Sequence, residues 1–253
     1  MDWAIISLLF AAGIAGGVIN ALAGGATLIT FPVMLAAGLP PIIANASNAV
    51  AVSPGHLLAA VADREKLPPF DRLLGLSLVV AFAGGIAGAL LLLALPERYF
   101  VLPVPGLIAG ATLLFFFAPQ VQSWAADRRA GAAPSRVWGL AVLGGASVYG
   151  GFFGAGLGVI LTAIIAIAEP NDIRKVKVLK NLLATSVSIA AVAIFIVEDA
   201  VRWHETLSML FGALIGGYAG GHLIRILPAR IVRHGVVIAG TVMTVIYAAR
   251  YWF

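Results

Sequence analysis

The sequence predicts an all-α polytopic membrane protein built as two inverted repeats, each a re-entrant or broken helical hairpin plus three transmembrane helices. Three observations lead there. The first is composition: of 253 residues, 61% are hydrophobic and 11% charged, and the mean hydropathy is +1.04. Soluble domains carry about 25% charged residues, so this chain cannot clothe a globule of its size in water. A soluble enzyme, a nucleic-acid binder and a secreted disulfide scaffold are all poor readings. The second observation is the sidedness of the basic residues, and the third is a set of landmarks that recurs in the second half of the chain.

The elements follow in chain order. About 20 apolar residues cross a bilayer, whereas runs of 10–14 suggest half-spanning pieces. Residues 4–23 are apolar, break at Gly24-Gly25 and resume as the short run 26–39. Three full-length spans follow at 42–62, 73–95 and 99–118. A basic stretch, 119–136, divides the chain near its middle as a cytoplasmic linker. Residues 137–153 break at Gly154-Ala155-Gly156 and resume as 157–168, and spans at 178–197, 206–224 and 231–249 complete the set. Repeat 1 is therefore 1–118 and repeat 2 is 137–253, within one integral membrane unit. The opening Met1-Asp2-Trp3 lacks a basic n-region and reads as a first membrane segment, not a cleaved signal peptide.

Charge decides how the two broken regions are drawn. If each were one continuous crossing, the 16 basic residues would divide evenly between the two sides. If each enters and returns on the same side, Arg98, Arg202 and Arg250 fall on one face and the other thirteen on the opposite face. Basic residues are retained in the cytoplasm, so hairpins are preferred and both termini lie outside. Two complete short crossings per region would give the same parity. Trp3, Tyr99, Trp203 and Trp252 then mark the outer boundary, with Trp124 and Trp138 at the inner one. The net charge of +5 belongs to these loops and implies no nucleic-acid partner.

The repeat is visible in four matches in the same order. Gly16-Gly17 pairs with Gly150-Gly151, and Asn48 and Ser53 pair with Asn181 and Ser186. Gly84-Gly85-Ile86-Ala87-Gly88 pairs with Gly216-Gly217-Tyr218-Ala219-Gly220, and Leu95-Pro96-Glu97-Arg98 with Leu227-Pro228-Ala229-Arg230. The offsets run only from 132 to 134 residues. Each half holds three spans, an odd number, so the second half is inverted. Inverted repeats with helices broken at matching positions are a recurrent design of secondary transporters, with substrate near the midplane.

The breaks supply the candidate site. A turn inside the membrane survives only against protein or a wet cavity, and glycine permits the conformations it needs. The first tip offers Asn20, Gly24, Gly25 and Thr27; the second offers Gly154, Gly156 and Gly158. The returning arms begin at the tips, so their free N–H groups and positive dipole ends point to the centre. Two such N-termini make an anion site without a buried charged side chain. The glycines of 84–88 and 216–220 read instead as helix-packing residues.

Polar stripes line the second spans. At about 100° per residue, Asn45, Asn48, Val52 and His56 share one sector, as do Lys177, Asn181, Thr185 and Ser188. Pro54 should free the Val50 carbonyl, next to Ser53. Asn48 and Asn181 are read as cavity-lining residues because they occupy repeat-equivalent places. His56 is either a satisfied core histidine or a proton or substrate ligand. Lys180 either snorkels to the surface or draws anions inward. Acidic residues sit only at span ends, which disfavours a carboxylate proton relay or cation site. With no cysteine, His-Glu-x-x-His pair or Gly-x-Ser-x-Gly elbow, neither a metal, a cofactor nor hydrolytic chemistry is expected.

Gly24-Gly25-Ala26-Thr27-Leu28-Ile29-Thr30-Phe31-Pro32 resembles the first-repeat motif of the TauE/SafE-type sulfite exporter family, with Ala26 where a third glycine is common. Ala44-Asn45-Ala46-Ser47-Asn48, Ser53-Pro54-Gly55 and Lys180-Asn181-Leu182-Leu183-Ala184 are similar to later segments of that family. The resemblance spans nearly the whole chain. It implies outward transport of a small anion, often a sulfur oxyanion or an organosulfonate such as sulfite or sulfoacetate. A passive anion channel and a non-transporting membrane binding protein stand as alternatives, and an intramembrane enzyme comes last. Coupling ion and oligomeric state are not legible.

Overall fold

A computed structural model describes residues 3–23, 25–62, 65, 67–127, 135–168, 173–223 and 229–253. The described residues form thirteen helices. In the first half they are α1 (Trp3–Ala23), α2 (Thr27–Ala36), α3 (Pro41–Val52), α4 (Pro54–Ala62), α5 (Arg72–Ala94), α6 (Glu97–Val101), α7 (Val104–Phe116) and α8 (Ala118–Asp127). In the second half they are α9 (Arg136–Phe152), α10 (Leu157–Ala168), α11 (Ile173–Val197), α12 (Trp203–Leu223) and α13 (Ala229–Trp252). No strand occurs among the described residues.

Five stretches are long and apolar enough to cross a membrane: Trp3–Ala21, Arg72–Ala94, Glu97–Phe116, Lys175–Val197 and Arg230–Trp252. Their outward faces are apolar at mid-helix. Val79 is 64% exposed, Ile189 51% and Ile238 64%, which water would not tolerate over so wide a surface. The chain is a multi-pass membrane protein. Trp3, Tyr99, Trp124, Trp138, Trp203 and Trp252 are all exposed near helix ends, as interfacial aromatics are.

The structure corrects two expected spans. The expected span 42–62 is two helices, α3 and α4, because Pro54 cannot donate to the carbonyl four residues back. That freed Val50 oxygen accepts the Ser53 hydroxyl at 3.3 Å, as the proline predicts. The repeat-equivalent position holds Val187, and α11 runs on without a break over 25 residues. Prolines 103 and 105 likewise divide the span 99–118 into α6 and α7, whereas α13 is continuous. Finally, the first half of the expected linker is helix α8, packed against α10; residues 128–134 lie outside the described residues.

Two of the short helices, α2 and α3, occupy the inside. In α2, Leu28, Thr30, Phe31, Pro32, Met34 and Leu35 are buried, and eight of the twelve residues of α3 are buried. The long helices wrap them. This follows from the lipid rule: interrupted backbone is tolerated at membrane depth only where protein covers it. The long helices pair across the two halves, α1 along α12 and α5 along α9. The contacts are backbone-close. A methyl group on Gly17 would strike the Ala213 carbonyl, one on Gly216 the Ile14 carbonyl, one on Gly88 the Val148 carbonyl and one on Gly151 the Gly85 carbonyl. Small residues let membrane helices approach this far, so the packing reading of the 84–88 and 216–220 clusters holds at these positions. Gly217 departs from it, having nothing within 4 Å of its missing methyl.

Candidate functional site

Both breaks fall on one stretch of α7. A methyl on Gly25 would enter the Phe115 ring, and one on Gly156 would stand 3.4 Å from Leu114 Cδ1 and 3.9 Å from the Ala111 Cα. These α7 residues lie within about 100° of one another around the helix. The helix that follows the first break also touches the second: the Phe31 ring of α2 and the Phe153 ring meet edge to face, with centroids 5.3 Å apart. The arms that reach this point are unequal. Helices α2 and α10 have 10 and 12 residues, too few to cross a bilayer, whereas α1 has 21.

The second break is built by left-handed backbone. Gly154 and Gly156 have φ of +75° and +80°, a region that costs an L-residue roughly 1–2 kcal/mol. The turn closes with Gly154 N–H donating to the Tyr149 carbonyl, Leu157 N–H to Gly154 and Val159 N–H to Gly156. The N–H groups of Ala155, Gly156 and Gly158 find no backbone acceptor among the described residues. They stand at the N-terminal end of α10, where a helix carries roughly half a positive charge. Donors of this kind in a positive field can hold an anion.

Side chains fix that turn from outside. Asn45, in α3, donates from Nδ2 to the Phe152 carbonyl at 2.9 Å, a bond that joins the two halves of the chain. Tyr149 donates its hydroxyl to the Ala155 carbonyl at 2.6 Å. Removing this donor leaves a largely buried carbonyl unpaired, at about 1–3 kcal/mol. Tyr149→Phe should therefore lower the thermal midpoint of the purified protein by roughly 2–8 °C, measured in detergent against the native chain. An unchanged midpoint would mean that the turn holds without its brace.

The remaining expected residues divide into those near the breaks and those beside them. Gly25 is buried, and Thr27 is the half-buried first residue of α2; Gly24 lies outside the described residues. Asn20 meets α4, its Nδ2 2.7 Å from where a Gly55 methyl would stand. Asn48 and Asn181 are buried, 1% and 3% exposed, on α3 and α11, helices that pack together. Thr185 bonds within its own helix, to the Asn181 carbonyl at 2.8 Å, and Ser53 bonds to Val50 as described. Gly158 is half-buried in α10, its carbonyl accepting from Thr162.

His56 and Lys180 form a second group where α4 packs on α11. Both are half-buried, and the Lys180 ammonium lies within electrostatic range of the His56 ring. Lys177, one turn outward on α11, is exposed and acts on Lys180 in the same way. No carboxylate pairs with Lys180 among the described residues, so the field here is positive.

Sequence reasoning did not single out Tyr149, Phe153 or the α7 residues Ala111, Leu114 and Phe115. Tyr149 carried one usable signal, since a tyrosine in an apolar segment needs a partner for its hydroxyl. The α7 seat carried none, because nothing local marks which span a distant turn will meet.

Residues 9–247 match the model of the family described as Sulfite exporter TauE/SafE. A "Probable membrane transporter protein" of Haemophilus influenzae is 27% identical over 240 residues, covering 95% of this chain and 93% of the relative. "Probable membrane transporter protein YfcA" of Escherichia coli K12 is 27% identical over 246 residues, covering 95% of this chain and 88% of the relative. "Probable membrane transporter protein ORF9" of a Sinorhizobium species is 26% identical, covering 95% and 91%. No solved structure matches the chain.

Proposed function

The chain belongs to the TauE/SafE sulfite exporter family of membrane transporters, and from that premise we propose that it carries a small anion, sulfite or an organosulfonate such as sulfoacetate, outward across the bacterial plasma membrane. The observation that carries this reading is the meeting of both helix breaks on Ala111–Phe115 of α7. Free N–H groups at the second break would hold the anion, with Asn48 and Asn181 as further donors. Lys180 would draw it in from the cytoplasmic side along α11. Neither step makes or breaks a covalent bond, so the protein acts as a carrier and not as an enzyme.

The two halves would act as inverted repeats, with both termini outside. Their packing favours this. Helix α1 and its counterpart α9 each take the other half's second span, α12 or α5, which is the reciprocity of a two-fold relation. The glycines at these contacts are the repeat-matched pairs 17 and 151, and 88 and 220. Rocking of one unit about this seam would expose the breaks alternately to the two sides.

Counterflow tests the proposal. Proteoliposomes loaded with unlabelled sulfite or sulfoacetate and given labelled anion outside should show a saturable, transient overshoot of label. A channel gives no accelerated exchange. Folded protein with no overshoot for either anion would withdraw the substrate while leaving the family assignment intact.

A further inference from the structure

The second break presents two unlike ends within a few residues. The N-terminus of α10 is positive, whereas the last turn of α9 ends in carbonyl groups and carries roughly half a negative charge. The anion reading uses only the first end. At the other, the Phe152 carbonyl accepts one bond, from Asn45 Nδ2, and keeps a second lone pair. Asn45 and Asn48 are 2% and 1% exposed, and the Oδ1 atom of each is buried without a hydrogen-bond partner. The orientation of the Asn45 amide is not arbitrary. Its nitrogen must face the Phe152 carbonyl, so the orphaned atom is an acceptor. Asn48 stands one turn along α3, about 60° around from Asn45.

We infer that Asn45 Oδ1, Asn48 Oδ1 and the carbonyl end of α9 hold a small alkali cation, of the size of Na⁺. Buried acceptors call for a donor or a cation, and the negative dipole end favours the charge. The chemistry of the oxygens narrows the ion. They are neutral amide and peptide carbonyls, whereas protein sites for Ca²⁺ or Mg²⁺ rely on carboxylates. Softer metals take imidazole or thiolate, and neither is present among these groups. Half-helix ends and unwound carbonyls coordinate Na⁺ in other broken-helix transporters while the opposite ends take the anion. Coupling then has a structural basis, because anion and cation would share one turn and each would raise the other's affinity by the same factor. That coupling rests on the anion reading; the cation site does not.

The test is thermal unfolding of the purified native protein in NaCl, KCl and choline chloride at equal ionic strength. Sodium at about ten times its dissociation constant should raise the midpoint by roughly 3–5 °C over the other two salts. Asn48→Leu should abolish the difference. Asn48→Asp, which keeps an oxygen and adds a charge, should move the response to lower sodium concentration, and it carries the test if the leucine variant does not fold. Equal midpoints in all three salts would overturn the site, as would a native sodium response in Asn48→Leu. Sulfite, added afterwards, reads the other claim separately. Stabilisation by sulfite without any sodium effect would leave the anion site standing and remove the cation, whereas a sodium effect without one from sulfite would do the reverse.

Discussion

Gly151→Ala should lower the thermal midpoint of the folded protein by roughly 5–10 °C, whereas Gly110→Ala, the same chemical change, should raise it by roughly 1–4 °C. The opposite signs come from what one methyl group meets. At Gly151 it meets the Gly85 carbonyl oxygen, and behind it the Gly85 carbonyl carbon and Cα, both at 2.9 Å. These are backbone atoms of a packed helix, so α5 and α9 must separate along their shared face. Overpacking of this kind costs about 1–3 kcal/mol or more. At Gly110 the methyl meets nothing within 4 Å, and alanine recovers the roughly 0.5–1 kcal/mol that glycine gives up in a helix.

The comparison extends to the other half. Gly17→Ala meets the Ala213 carbonyl and should match Gly151→Ala, its repeat partner. Gly217→Ala should behave like Gly110→Ala, although Gly217 corresponds to Gly85, which is packed against Val187 and Ala190. Thermal unfolding of the four variants in one detergent decides the matter. A loss of stability at Gly110 or Gly217 as large as that at Gly151 would show that close approach is not what these glycines provide.

Much of this architecture was legible because lipid leaves few choices. Backbone that breaks in a membrane must be buried, so Gly24-Gly25 and Gly154-Ala155-Gly156 marked both interruptions, whereas Pro54, expected only to free the Val50 carbonyl within one span, divides α3 from α4. Periodicity placed Asn45 and Asn48 on one face. It could not say that Asn45 would turn its amide nitrogen to Phe152, 107 positions away, because that pairing depends on how two halves of the chain pack. The α7 seat was hidden for the same reason. Ala111, Leu114 and Phe115 are ordinary apolar residues in an ordinary span, and their role lies in which turns come to rest on them. That part of the stretch 119–136 is helical, as α8, was not legible either, because its composition, with Gln120, Gln122, Ser123 and Asp127, is shared by surface helices and polar loops.

Lys180→Gln should raise the apparent KM for the transported anion about 10–100-fold while leaving the thermal midpoint unchanged or higher. The two readouts separate because the residue acts on them in opposite directions. A half-buried ammonium with no carboxylate partner among the described residues, beside His56, loses hydration on folding and gains no ion pair in return; removing it does not weaken the fold. An anion arriving in the same place supplies the missing partner. Hydrogen bonds to charged groups contribute about 1.5–3 kcal/mol, which corresponds to the stated change in affinity. Binding energy realised in the ground state changes KM and not the maximal rate, so the maximal rate of counterflow should change far less than KM. Lys180→Arg keeps the charge and should stay within a few-fold of the native KM, which no packing role would require of so different a head group. If Lys180→Gln instead unfolded the protein and spared transport in the fraction that remained folded, the lysine would be a structural residue and the approach of the anion along α11 would be wrong.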